Sequence, residues 1–194
     1  MKSIKPPQRK KEPVRVVVSG GFDPIHPGHV RMFNEAKRLG DELVVIINND
    51  NWLRKKKGYA FLHEQERKEI IASFRAVDKV VISSHVKNPT DMSVTKELTK
   101  LKPDIFAQGG DRKPTHTPIP GSELEYCAKT GCKVVYNVGR GGKVQSSSWL
   151  TTSFLTRALQ MDKCPCKSGK LFRECGIQNT KTHQVHLKRL LNGA

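Results

Sequence analysis

Two histidines stand three residues apart in the segment Gly20-Gly21-Phe22-Asp23-Pro24-Ile25-His26-Pro27-Gly28-His29. Pro27 and Gly28 lie between them, and a helix-forming run follows, so both imidazoles sit at the mouth of a helix. At this spacing His26 and His29 can face one phosphate from one side, where helix-terminal N–H groups add partial positive charge. Gly21 and Gly28 lack a Cβ and let the backbone approach a ligand closely. Chemistry at phosphorus needs placement and charge stabilisation more than covalent help, and an imidazole N–H can donate to phosphate oxygens as charge develops. Read alone, such a pair also fits polar surface or a metal pair; the glycines before it and the strand pattern upstream narrow the choice.

The elements that must position these side chains follow from periodicity. Residues 14–19 (VRVVVS), 42–48 (ELVVIIN), 78–83 (DKVVIS), 104–108 (DIFAQ) and 133–138 (KVVYNV) read as five short strands rich in β-branched residues, the profile of strands buried on both faces. Between them lie helical patterns. Val30, Phe33, Ala36 and Leu39 repeat at helical spacing before Gly40. Residues 64–76 read as a helix with Ile70, Ile71 and Phe74 inward, and residues 91–101, 122–129 and 147–160 as further helices. Strands alternating with helices predict βαβ units, a doubly wound parallel α/β sheet, and a ligand site beyond the carboxyl ends of the strands. The loops after strands one, two and four are richest in Gly, Asp, His and Lys.

The 194 residues suit one such domain with a short appendage. Residues 1–13 read as a basic flexible arm, 14–160 as the α/β domain and 161–194 as a small tail. The net charge of +17 is concentrated at the ends, +5 in residues 1–15 and +5 in 161–194, with +7 between. The basic ends fit contact with nucleic acid or protein, or simple solvation, and the middle suits a site for polyanions. No run reaches the length of a membrane span, and the first residues carry no apolar signal core, so the expected setting is cytoplasmic. Cys127 and Cys132 read as core filler. Arg67 reads most simply as a helix-surface ion-pair partner of Glu64.

The segment GGFDPIHPGH resembles the HxGH signature of the cytidylyltransferase-like nucleotidyltransferase superfamily, and the resemblance extends over roughly residues 14–156. GDELVVIINND is similar to the second strand and loop of that family, and EQERKEIIASFRAVDKVVIS to its ERxxIL…VDxV stretch. LKPDIFAQGGDRKP resembles the KPDxxxxGGDxxP block of the heptose-phosphate adenylyltransferases, where glycerol-phosphate cytidylyltransferases carry GDD or GND. SSSWL resembles the late STTxI or SSTxIR loop, although Gln145 and Thr151 depart from it and Trp149, a core anchor or a pocket lining, is unexpected there.

The resemblance implies a Rossmann-like nucleotidyltransferase fold and residue roles. His26 and His29 would contact the α- and β-phosphates. Phe22 and Asp23 would lie where the loop backbone meets the nucleotide. Lys57, before Gly58, would be the phosphate-contacting lysine, with Lys55 and Lys56 leaving the register open by a residue or two. Gly110, Asp111 and Arg112 would hold ribose and base, and Ser146, Ser147 and Ser148 would meet phosphate at a helix N-terminus. The same residues also fit a solvated basic turn, a strand-ending turn and a helix cap. The family often places an arginine near the site at the position of Arg67.

The implied reaction moves a nucleoside monophosphate from a nucleoside triphosphate, ATP or CTP, onto a small phosphorylated acceptor with Mg²⁺ and release of pyrophosphate. The GGD block favours ATP and a sugar phosphate; the alternative is CTP with glycerol phosphate or a phosphoalcohol. A reading of another class is a non-catalytic nucleic-acid-binding or adaptor protein on the same fold. In the tail, CPCKSGKLFREC resembles the zinc-binding SEC-C motif. That implies a Zn²⁺ site on Cys164, Cys166 and Cys175, with His183 or His186 as fourth ligand because Gly176 stands where the motif has its own. A homodimer is a further expectation.

Overall fold

The computed structural model describes residues 12–109, 121–139 and 146–153. The chain divides into two compact units, Met1–Gln145 and Ser146–Ala194. The first unit holds β1 (Arg15–Gly20), α1 (Pro27–Lys37), β2 (Glu42–Ile47), α2 (Asp50–Lys57), α3 (Glu64–Ala72), β3 (Lys79–Ile82), α4 (Thr95–Leu101), β4 (Ile105–Gly109), α5 (Gly121–Thr130) and β5 (Lys133–Val138). The five strands form one sheet in the order β3-β2-β1-β4-β5, every neighbouring pair parallel. The chain therefore builds outward from β1 in one direction and then in the other, and the carboxyl end of β1 is the switch point where such sheets bind ligands.

Alternation along the strands explains the two-sided core. Val16, Val18, Leu43, Val45 and Ile47 pack on one face with Phe33 and Ala36 of α1 and Ile71 of α3. Val17, Val44, Ile46 and Phe106 pack on the other with Leu98 and Leu101 of α4 and with Cys127 and Cys132 around α5. Both cysteines are thus core residues, as their surroundings predict. Val16–Val18 and Leu43–Ile47 are wholly buried, which is why these runs show no polar alternation. No helix among the described residues is long and apolar enough to cross a membrane.

Three elements differ from the sequence expectation. Helix α3 ends at Ala72, not 76: Ser73 turns its hydroxyl back to the Ile70 carbonyl at 2.7 Å, and the Ser73 and Phe74 N–H groups bond three residues back. The tightened turn brings Ala76 and Val77 onto the sheet. Ile71 takes the inward position, and Ile70, expected inward, is 36% exposed. Helix α4 begins at Thr95 because the Asp91 carboxylate accepts the Ser93 N–H at 2.8 Å, a local bond that competes with a helical turn. The third difference is α2, a helix where a loop with a basic turn was expected. Asn49 caps it by accepting the Trp52 N–H at 3.0 Å, Gly58 closes it at φ +85°, and the lysine run lies in its last turn, where cations complement the helix dipole.

Candidate active site

The loop after β1 delivers the two histidines to the N-terminus of α1. His26 is the N-cap: its Nδ1 accepts the Gly28 N–H at 3.2 Å, while Nδ1 of His29 accepts the His26 N–H at 3.2 Å. Each imidazole thereby commits Nδ1 as an acceptor, so the ring proton of the neutral form resides on Nε2. The rings stack with centroids 3.7 Å apart and planes 24° from parallel. Phe22, held at φ +49°, turns its buried ring against His29 (centroids 5.0 Å, 87°) and against Phe33. A Cβ on Gly20 would lie 2.9 Å from the Phe22 ring, so the glycine is what admits that ring beneath the pair.

Lys57 completes the cluster. Its Nζ donates to the backbone carbonyl of Asp23 at 2.9 Å; Lys55 and Lys56 are exposed and Lys57 is half-buried. The charges are tuned by enclosure. Burial, with Lys57 alongside, lowers the pKa of His26. Burial, then His26 and Lys57, drives His29 down to about 3. Burial also lowers Lys57, opposed by Asp23 and reinforced by Arg67. Near neutral pH the pair is uncharged and presents Nε2–H donors.

Asp23 is fully buried, and its carboxylate oxygens accept the N–H groups of Phe61 and Leu62 at 2.7 and 2.8 Å. The residue moors the segment after α2 to the histidine loop. Arg67, expected on a helix surface paired with Glu64, is instead 1% exposed. Its guanidinium donates to the carbonyls of Gly21 (2.7 Å), Asn48 (2.7 Å) and Leu62 (3.1 Å) and to Oδ1 of Asp50 (2.7 Å). Glu64 accepts the Asp50 N–H at 2.9 Å instead. One arginine thus clamps the ends of β1 and β2, the start of α2 and the loop before α3. A guanidinium can do this because its donors fan out in a plane. Residue pattern alone did not find this role; the family position of the arginine was the available signal.

On the other side of β1, Gly109 ends β4 so close to α1 that a Cβ would lie 2.9 Å from Met32 Sδ. Gly110, Asp111 and Arg112 lie outside the described residues, as do Cys164, Cys166, Cys175, His183 and His186. In the second unit, residues 147–153 are helical. Ser146 caps them by accepting the Trp149 N–H at 3.0 Å, and Thr151 donates to the Ser147 and Ser148 carbonyls. Trp149 is 59% exposed.

The parallel order and the histidine pair at the switch point define a doubly wound α/β domain with its candidate site at the end of β1. Residues 17–127 match the cytidylyltransferase-like family, and the chain belongs to that family. It is similar to the FAD synthases of Archaeoglobus profundus (39% identical over 99 residues, 51% of this chain and 59% of that protein) and Pyrococcus horikoshii (43% over 100 residues, 51% and 64%). It is also similar to the FAD synthase of Aciduliprofundum boonei, at 37% over 121 residues, 62% of this chain and 74% of that protein. The chain therefore spans 59–64% of the length of the first two relatives. Among solved structures it resembles a lipopolysaccharide core biosynthesis protein from Thermoplasma volcanium, with a TM-score of 0.54 and 30% identity over 66% of this chain and 99% of that one.

Proposed function

We propose that the chain is an ATP-dependent nucleotidyltransferase that moves AMP onto a phosphomonoester and releases pyrophosphate. The observation that carries this reading is the stacked pair His26–His29, both Nδ1 atoms committed to backbone N–H groups and Lys57 within the same electrostatic cluster. A phosphomonoester has its second pKa near about 6, so it reaches the site already ionised and needs no general base. An acceptor oxygen attacks the α-phosphorus, the bond from that phosphorus to the bridging oxygen breaks, and pyrophosphate departs with the bonding electrons. The negative charge that grows on the phosphate oxygens is what Nε2–H donors and the Lys57 ammonium can stabilise.

Mg²⁺ brought in with the nucleoside triphosphate would supply neutralisation of phosphate charge, beside the donors of His26, His29 and Lys57. Gly110, Asp111, Arg112 and Ser146–Ser148 remain the proposed contacts to nucleoside and phosphate, and residues 161–194 a proposed zinc-binding tail, within the division 1–13, 14–160 and 161–194. FMN and sugar phosphates are both phosphomonoesters of a polyhydroxylated carbon chain. Similarity to the FAD synthases favours the first as acceptor, and the sugar phosphate stays the second candidate through the resemblance of the GGD block.

The test is pyrophosphate release from ATP, CTP, GTP and UTP against FMN, sugar 1-phosphates, glycerol phosphate and phosphoalcohols. The reading expects ATP to support release with at least one acceptor. Release with CTP alone would replace it by the cytidylyl reading. Salt-dependent nucleic-acid binding without release on any nucleotide would replace it by the non-catalytic one.

A further inference from the structure

The chain between β3 and α4 encloses a cavity of about 100 Å³ that the histidine site does not use. Glu97 lines it and is only 4% exposed. Its Oε1 accepts both the N–H and the hydroxyl of Ser84, at 2.8 and 2.7 Å. Oε2 meets no donor among the described residues. A carboxylate removed this far from water is costly unless a cation or further donors answer its charge. Asp91, which is exposed, lines the same cavity, with Oδ1 taking the Ser93 N–H at 2.8 Å. Lys96, also on the lining, is exposed and forms no ion-pair contact with either carboxylate.

The cavity is built into the fold. Asn49 and Asn51, at the start of α2, donate their side-chain N–H groups to the His85 carbonyl at 2.7 and 3.1 Å. The Trp52 indole N–H donates to the Met92 carbonyl at 2.9 Å. His85 is fixed as well: Nε2 lies 3.0 Å from the Ser93 carbonyl, so it carries the proton. Nδ1 then accepts from the Ser83 hydroxyl at 2.7 Å, whose oxygen takes the Asn49 N–H at 3.0 Å. Both ring nitrogens are engaged, and the imidazole has no lone pair left for an occupant. What the lining offers is oxygen, from Glu97, Asp91 and the hydroxyls of Ser84 and Thr90.

Oxygen ligands do not suit metals that prefer thiolate or imidazole. Mg²⁺ demands near-ideal octahedral geometry and gives up water reluctantly, and Lys96 nearby opposes a double positive charge. A monovalent cation meets neither obstacle. We propose that this cavity is a site for a compact monovalent cation, of the chemistry that potassium and a primary ammonium group share, with Glu97 as its principal ligand and Asp91 as a second. The site lies on the β3 side of the sheet, apart from the histidine pair, and stands independently of the transferase reading.

The experiment follows the thermal midpoint of the full-length protein, without nucleotide and at one fixed ionic strength. Tetramethylammonium chloride, whose cation is bulky and has no N–H group, is replaced stepwise by potassium or methylammonium chloride. The expected result is a saturable rise of about 2–4 °C over the tetramethylammonium baseline. Glu97→Gln keeps an oxygen for Ser84 and removes the charge; Asp91→Asn does the same for Ser93. The rise should vanish in Glu97→Gln, shrink in Asp91→Asn and grow in Lys96→Met. A rise with both salts, or with either one alone, supports the site; potassium alone marks an inorganic ion and methylammonium alone an organic amine. The proposal is overturned if both salts match tetramethylammonium in wild type, or if Glu97→Gln responds as wild type does. It is also overturned if Ca²⁺ at far lower concentration gives the larger Glu97-dependent rise. Should Glu97→Gln fail to fold, responses equal to wild type in both Asp91→Asn and Lys96→Met overturn it.

Discussion

His29 holds His26 by its backbone: Nδ1 of the later ring accepts the N–H of the earlier residue at 3.2 Å, and the two rings lie face to face at 3.7 Å. Helix capping and site assembly are therefore one arrangement. Neither ring can turn without freeing a backbone donor at the start of α1, so both Nε2 atoms are kept available to a ligand.

This coupling gives a way to separate stability from activity. His26→Ala removes both the cap and the Nε2 donor; it should cost about 1 kcal/mol of stability and lower kcat by about 10² or more. His26→Asn retains a side-chain oxygen able to cap Gly28 and should recover the stability without recovering kcat. Denaturant unfolding and pyrophosphate-release kinetics on both variants check this. Wild-type turnover in either one would remove the pair from the proposed site.

The depressed histidines set a pH dependence. His29 titrates near 3 when folded and near its ordinary value of about 6.5 when unfolded. Between these values the unfolded chain binds the extra proton, so its linkage term lowers stability as pH falls from about 6.5 towards 3. His26, also lowered, acts in the same direction. Thermal midpoints from pH 7.5 to 5 should decline in wild type and decline less in His29→Asn. An identical slope in both proteins would show that His29 is not held neutral by burial.

Arg67 should prove structural far beyond the surface role its sequence context suggests. Arg67→Met leaves Oδ1 of Asp50 and three backbone carbonyls without their donor. Loss of one partner of a buried ion pair typically costs about 3–5 kcal/mol. Arg67→Lys cannot restore the set, since an ammonium is a point charge and not a planar fork. Urea unfolding of both variants is the measurement, and a loss below about 1 kcal/mol would contradict the clamp.

Asp23→Asn changes one carboxylate oxygen into a donor. Its Oδ1 can still take one of the two N–H groups of Phe61 and Leu62, and the other loses its partner, at a cost of about 1–3 kcal/mol. The segment 58–62 should loosen locally. Hydrogen exchange at Phe61 and Leu62 should rise while exchange in β1 and β2 stays slow, because those strands are pinned by their own ladders. Uniform acceleration across the sheet would point to global destabilisation instead.

The order of strands and helices was largely legible because its causes are local. Runs such as Val16–Val18 and Leu43–Ile47 have no polar face, and only a strand covered on both sides buries such a run. The histidine motif was legible for the same reason: capping needs only residues three apart, and Pro27 and Gly28 prescribe the turn. Even α2 had its signals, in Asn49, Asp50 and Gly58, but a basic run without apolar repeats hid them. The enclosure of Lys57 beside Asp23, the burial of Arg67 and the mooring of Phe61 by Asp23 were decided only by the tertiary structure. Each depends on groups far apart in the chain: Lys57 and Asp23 are separated by 34 residues, Arg67 and Gly21 by 46, and Phe61 and Asp23 by 38. A charged side chain carries no local mark of whether it will meet water or a ring of carbonyls. That is fixed when parallel pairing of β1 with β2 brings the ends of both strands to one edge, where the buried donors and acceptors must satisfy one another.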